Sequence, residues 1–508
     1  MFPNDTDFES EFTFENSAAV PLPEEPPFHV LLLGDWRGNL NNNNLNERRT
    51  FIIDRDNFDE VLKKLNVGLE LDLQGASESL LSLQFAELDD FHPDNLFRNV
   101  PIFSDLRDVR RRLSNPDTFD GAANEVRSWF DSPGENISDE NKFSPEIDDA
   151  PPIESTNLLD MILTQPGSAP TSAKLQSVDS SELGKFVSKI VTPHLIRIDE
   201  NEQTQLIAAV DETVSQLIRT ILHHPKFQAL ESAWRGLYFL VRRLETDNNL
   251  KIFIFDISHE ELTDNLQSVD NLTDSVLYQQ LVDKNFAVIA GNYSFGLDVE
   301  DIASLMRIGK LAHAADAPFI SYIKPEIFGL KNFLEKTDGI RFQINEDSKE
   351  SKLWSALRSA PETGYIGLSP MRVLARMPYG ETSDSVETFK FEEFWQDINF
   401  EKLLWMNPCF SIVLLLAQSY SLYGWEMNEN LSRTIGNLPM YVFTDGGETK
   451  IMPCAEVVAT ENLLHQILEQ GMIPLVSPRD STKIQIARFQ PVSQLYTNLI
   501  GKWNSGSL

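Results

Sequence analysis

Apolar residues Phe227, Leu230, Trp234, Leu237, Val241 and Leu244 recur every three or four positions and so form one stripe along a helix. Pro225 fits the first turn of that helix, where a missing N–H costs nothing. A second stripe, Leu206, Val210, Val214, Leu217 and Ile221, leads into it. The strand-like run from Leu250 to Ile257 follows directly, so the helix is expected to pack on a sheet rather than in a coiled coil. Downstream the pattern predicts a helix at 277–282, a strand at 286–290, a helix at 299–315 and a strand at 319–323. The last three have the length of a βαβ unit, which favours parallel pairing. Beyond them come a helix at 349–358, a strand at 365–368, a helix at 403–423, a strand or turn at 441–447 and a helix at 461–469.

The front of the chain reads differently. Val30 to Leu33 predicts a buried strand and Phe51 to Asp54 a second one. Asn57, with Glu60 three residues later, predicts a capped helix start running through Leu65. Leu69–Leu73 alternates like a half-buried strand, and Leu80–Phe85 is its expected partner. A helix is expected from Pro93 to Leu113, with Phe103, Leu106, Val109 and Leu113 on one side and Arg107, Arg110, Arg111 and Arg112 on others. The predicted class is α/β: mixed sheets flanked by helices, with a small N-terminal α/β domain and a larger C-terminal one.

Breaker residues divide the chain. Residues 1–27 carry acidic side chains, no basic ones and a Pro-rich end, the composition of a disordered acidic arm. Ser132-Pro133-Gly134, Asp148 to Pro152 and Pro166-Gly167-Ser168 mark an acidic linker. The division is therefore 1–27 arm, 28–130 small domain, 131–200 linker and 201–508 large domain. Within the linker one apolar island, residues 157–163, is long enough for one or two helical turns and needs a binding surface to be stable.

Charge narrows the partners. With 43 basic against 77 acidic residues the formal net charge is −34, which opposes nucleic-acid binding and disfavours anionic membranes. A polymer of such subunits must pair those charges with basic patches or screen them with salt. Cys409 and Cys454 sit in unrelated contexts, support neither a disulfide framework nor a zinc site, and suit a reducing compartment. The apolar run Ile412–Ala417 is far short of the ~20 residues of a membrane span, and the acidic N-terminus has no signal core. A soluble, cytoplasmic protein without membrane insertion is expected.

Candidate chemistry is sparse. His223 and His224 would point about 100° apart on a helix and cannot share a metal as an i,i+4 pair does, so capping and packing are the favoured roles. The glycines at 291–296 and 436–447 match no phosphate-cradling or dinucleotide spacing, and no Gly-x-Ser-x-Gly elbow occurs. No catalytic, cofactor-binding or metal-ligating residue is assigned. The cluster Arg107, Arg110 and Arg111 admits three readings: phosphate binding, a solvated face, or an interface with carboxylates of its own or a neighbouring subunit. Arg235 is placed to pair with Glu231 one turn earlier. Trp234, Trp354, Trp395, Trp405 and Trp425 fall on apolar helical faces or their ends.

His223-His224-Pro225-Lys226-Phe227-Gln228-Ala229-Leu230-Glu231 followed by Trp234-Arg235-Gly236-Leu237 resembles the signature of the large contractile-sheath subunit of type VI secretion systems, the VipB family. Collinear matches follow: Asp298–Leu305, His313–Phe319, Leu353-Trp354, Arg372–Arg376 with Pro378-Tyr379-Gly380, Phe391-Glu392-Glu393, Trp405–Pro408, Gly424-Trp425 and Pro453–Val457. The front resembles the small subunit, the VipA family, at Gly34-Asp35, Arg48-Arg49, Ile53–Phe58 and Asp89–Pro93. This resemblance implies a non-catalytic structural component in which both halves of a sheath protomer are joined. Its implied partners are itself or other sheath subunits, an inner tube protein, a baseplate and an AAA+ unfoldase. The residues that would meet the unfoldase are Leu158, Leu159 and Ile162; His224, Pro225, Phe227, Leu230, Trp234, Arg235 and Gly236 would form a signature core. Asn292 and Met371 depart from the large-subunit pattern, and little sequence follows Phe489-Gln490-Pro491. These departures add the expectation of a divergent sheath protein or a non-polymerising, sheath-like accessory or cap, with an α/β enzyme as a distant alternative.

Overall fold

A computed structural model describes residues 25–130 and 202–507, apart from 39–43, 73–79, 283, 331–332, 334–347, 395–397, 446 and 459. Its centre is a six-stranded sheet of β1 (Phe28–Gly34), β2 (Phe51–Ile53), β5 (Leu250–Asp256), β6 (Phe286–Phe295), β7 (Phe319–Ile323) and β8 (Ile366–Ser369). The strand order is β2-β5-β1-β6-β7-β8. β1 runs parallel to both β5 and β6, and β6, β7 and β8 continue the parallel run; β2 closes one edge antiparallel to β5. A parallel strand flanked on both sides and covered on both faces needs apolar residues throughout, which explains the unbroken Val30-Leu31-Leu32-Leu33 run. The small N-terminal segment thus supplies the middle of the sheet that the larger segment builds.

Around it lie α1 (Phe58–Leu65), the hairpin β3 (Gly68–Asp72) and β4 (Leu80–Gln84), and α2 (Pro93–Asn99), α3 (Ser104–Ser114) and α4 (Phe119–Phe130). The larger segment adds α5 (Glu202–Leu222), α6 (Pro225–Arg243), α7 (His259–Ser268), α8 (Val276–Val282), α9 (Val299–Ala314), α10 (Lys349–Ser359), α11 (Pro408–Tyr423) and α12 (Glu461–Glu469). Short pairings complete it: β9 (Val373–Leu374) with β10 (Trp405–Met406), and β11 (Thr434–Ile435) and β14 (Leu475–Val476) on either side of β15 (Ile484–Ile486). The hairpin of β12 (Tyr441–Asp445) and β13 (Glu448–Met452) is separate. α11 packs on β6, β7 and α6, and α9 on β6, β7 and β8 with α7 and α10 beside it.

Four local expectations are corrected. The helix expected over 93–113 is two helices, because Pro101 has no N–H to continue α2 and disfavours helical geometry at Val100, which is extended. The helix expected from Leu403 begins at Pro408: Asn407 is extended and its side chain accepts the Cys409 N–H, while Trp405-Met406 pairs with β9. Trp405 therefore lies on a strand. Asn57 precedes α1 without a side-chain cap, since its Oδ1 accepts the Asp54 N–H instead. α4 and α7 were not anticipated, although Ser258 and Glu261 form a capping box at the start of α7.

Candidate functional site

Where the two segments meet, polar side chains are buried among large aromatics. Trp36, just after β1, and Trp234, on α6, are both fully buried, and the Trp234 indole donates to the Trp36 carbonyl at 3.0 Å. Phe58 on α1 meets Trp234 edge-on, and Phe91 meets Phe227 at 5.6 Å. Gly236 lets the Phe410 ring of α11 approach so closely that an added Cβ would stand 2.4 Å from it. The signature core therefore gains a physical reading: Phe227, Leu230 and Trp234 are buried along α6, Pro225 opens the helix, and the His224 ring accepts the Lys226 N–H as its cap.

Beneath this stripe α6 buries charge. Arg235 Nε donates to Glu231 Oε1 at 2.7 Å, as the spacing predicts. Glu231 also receives Arg376 Nε at 2.8 Å, and the same guanidinium donates to Glu393 Oε2 at 2.7 Å. The Arg235 fork reaches the Tyr379 hydroxyl at 2.7 Å, the Tyr379 N–H donates to Glu393 at 2.9 Å, and the Arg376 guanidinium lies 4.0 Å from the Tyr379 ring centroid. Two arginines thus balance two carboxylates in a site that water barely enters. Burial alone would raise the Glu393 carboxyl, but Arg376, helped by His223, holds it down at about 2. His223 stacks on Phe394 with its Nε2 3.5 Å from Glu393 Oε1.

The N-terminal segment grips the same region. His92 meets the Tyr379 ring edge-on, and the Asp94 carboxylate accepts the N–H groups of Glu387 at 3.0 Å and Thr388 at 2.9 Å. Burial opposes ionisation of Asp94, yet these donors hold its carboxyl below the usual range. On the opposite side Arg48 donates to the Asp256 carbonyl and to both oxygens of Glu261. Asp256 accepts the Trp36 N–H at 2.9 Å, and burial keeps its carboxyl high despite that bond.

The arginine cluster resolves into separate roles. Arg107 donates to the Phe97 and Val100 carbonyls, tying together the two helices that Pro101 separates. Arg110 forms a two-point pair with Asp211 of α5, joining the segments, and Arg111, largely exposed, pairs with Asp108. Leu158, Leu159, Ile162 and Trp395 lie outside the described residues. Arg376, Tyr379 and Glu393 fall within motifs the sequence displays, but no spacing announces their convergence with Glu231, which lies about 145 positions from Arg376.

A cleft of about 420 Å³ opens at the carboxyl ends of β1, β5 and β6, bordered by Asp35, Lys226, His259, Glu260, Asn292 and Tyr293. His259 stacks on Tyr293 and directs Nε2 to Asp301 at 3.3 Å. Among the described residues no three His, Cys, Asp or Glu side chains are grouped to hold a metal ion, and no helix is long and apolar enough to cross a membrane.

Similarity follows the same division. Residues 19–127 match the type VI secretion system VipA family, and residues 204–492 match the VipB family, the EvpB-type tail sheath N-terminal domain. The type VI secretion system sheath protein TssC1 of Pseudomonas aeruginosa is 30% identical over 290 residues, which are 54% of this chain and 58% of that protein. The chain thus spans somewhat more than half the length of this curated relative. With its larger segment matched across the whole region that builds the sheet around β1, the chain belongs to the VipB tail sheath family and carries a VipA segment fused ahead of it.

Proposed function

We propose that the chain is a non-catalytic structural component of a type VI secretion contractile sheath, working in the cytoplasm as a protomer whose two halves are covalently joined. The observation that carries this reading is the seating of β1, from the VipA segment, between β5 and β6 of the VipB segment. Both of its edges are hydrogen-bonded, so pulling the halves apart breaks two parallel ladders and exposes an apolar strand. Such a protomer transmits force as one body. Its partners on this reading are further sheath subunits, the inner tube, the baseplate and an AAA+ unfoldase that engages Leu158, Leu159 and Ile162.

Electron microscopy of the purified chain at moderate and high salt tests the assembly. Tubules or rings are expected; a monomer under every condition overturns self-assembly and favours the capping accessory. A pull-down in which Leu159→Asp leaves unfoldase binding undiminished removes the unfoldase contact.

A further inference from the structure

At the β8 edge of the central sheet, residues 492–500 form a short loop with an exposed tip. On one side of the tip the Val492 N–H donates to the Ile366 carbonyl at 2.8 Å and the Gln494 N–H to the Arg358 carbonyl at 3.0 Å. On the other, the Leu499 N–H reaches the Phe489 carbonyl at 3.1 Å and the Ile500 N–H the Gly364 carbonyl at 3.0 Å. Residues 494–498 between these anchors are all exposed, Leu495 at 57% and Tyr496 at 41%. The Tyr496 ring lies against Gly364, where an added Cβ would stand 2.8 Å from it. The Ser493 hydroxyl accepts the Leu495 N–H at 3.1 Å, and the Gln494 amide donates to the Ser359 hydroxyl at 2.8 Å. A braced backbone therefore holds two large apolar side chains out toward solvent.

Arg358, in the last turn of α10, stands at the foot of this loop. Its Nε donates to the Val492 carbonyl at 3.1 Å, and among the described residues no carboxylate pairs with it. Burial lowers the pKa of this half-buried guanidinium, with no acidic neighbour to offset the effect. Its remaining N–H donors are left to an outside acceptor. Tyrosine and arginine are the side chains in which interface energy concentrates, and a surface already rigid loses little entropy when a partner covers it.

We propose that the Leu495-Tyr496 tip and Arg358 form a docking surface for a second copy of the chain, which covers the tip with an apolar side chain and meets the guanidinium with a carboxylate. Charge argues for that occupant: copies with a net charge of −34 repel one another unless acids of one meet a cation of the next, and a half-buried cation is screened less than an exposed one. The chain also presents the complement. Val299 and Glu300, adjacent and both exposed, open α9 beyond the carboxyl end of β6, whereas the loop lies beside Ile366 at the amino end of β8. Contact between two such different surfaces runs head to tail and so continues from copy to copy. The inference rests on the reading that copies assemble, and the test separates the two.

The full chain carrying Tyr496→benzoylphenylalanine, mixed from isotopically light and heavy preparations, is assembled at low salt and irradiated. Mixed-isotope adducts at position 496 are expected. Leu495→Ser with Tyr496→Ser should raise the concentration needed for half-maximal pelleting by about tenfold or more, and Arg358→Gln should make pelleting less dependent on salt. Circular dichroism checks folding, and Leu495→Asp alone, at a side chain that faces solvent, suffices if the double variant does not fold. Wild-type chain that assembles while position 496 gives only same-isotope adducts, or folded tip variants that pellet as wild type does, overturns the docking surface and leaves the sheath reading standing. An unchanged salt dependence in folded Arg358→Gln overturns the carboxylate contact. Wild-type chain that never assembles overturns both the docking surface and the sheath reading.

Discussion

Replacing Arg376 by Met removes the guanidinium that bridges Glu231 and Glu393 and keeps most of its stem volume. Two carboxylates are then left in a site where Glu231 is fully buried and Glu393 is 2% exposed. Breaking a buried pair by deleting one partner costs about 3–5 kcal/mol, chiefly as desolvation of the charge left behind. The native environment gives a matching figure: a Glu393 carboxyl held at about 2, against 4.5 unperturbed, corresponds to about 3 kcal/mol of stabilisation at neutral pH. Because the folded value is depressed, that contribution is fully present above about pH 4.5 and is lost as pH falls toward about 2. In Arg376→Met the sign reverses: burial without the guanidinium raises the Glu393 carboxyl, so acidification from neutral pH relieves the strain. Urea denaturation followed by circular dichroism should show the variant about 3–5 kcal/mol less stable at pH 7, with the gap narrowing at pH 5. Adding Glu393→Gln should recover part of the loss. A variant within 1 kcal/mol of wild type at pH 7, or a gap that widens on acidification, would refute the reasoning.

Three further outcomes follow from the same geometry. Gly236→Ala drives a methyl into the Phe410 ring and should cost about 1–3 kcal/mol, read by denaturation, with Phe410→Leu restoring part of it. Expressed as separate chains, residues 25–130 and 202–508 should co-purify as a complex, whereas the larger piece alone should be insoluble because the place of β1 between β5 and β6 is empty; a soluble, monomeric larger piece would count against the shared sheet. Trp234→Phe leaves the Trp36 carbonyl without its buried donor and should lower stability by about 1–3 kcal/mol, more than Arg110→Ala, whose partly exposed pair with Asp211 is worth about 1 kcal/mol or less.

Periodicity by itself determined much of this protein. The stripe from Phe227 to Leu244 yields α6, the run Val30–Leu33 yields a buried strand, and 286–323 yields a parallel βαβ unit, because burial on one face imposes a spacing that a sequence displays directly. Signature residues, read in order, also gave the family. What the linear pattern could not carry was where β1 goes. A continuous apolar strand states that both its faces are covered, not whose strands flank it; only the closed sheet seats β1 of the smaller segment between β5 and β6 of the larger one. Arg376, Glu231 and Glu393 illustrate the same limit: each carries an ordinary charge in the sequence, and only the packing of α6 against the 376–393 segment makes them a buried, balanced network. Local spacing fixes which face of an element is apolar; charge pairing across hundreds of residues depends on distances that exist only once the sheet is closed.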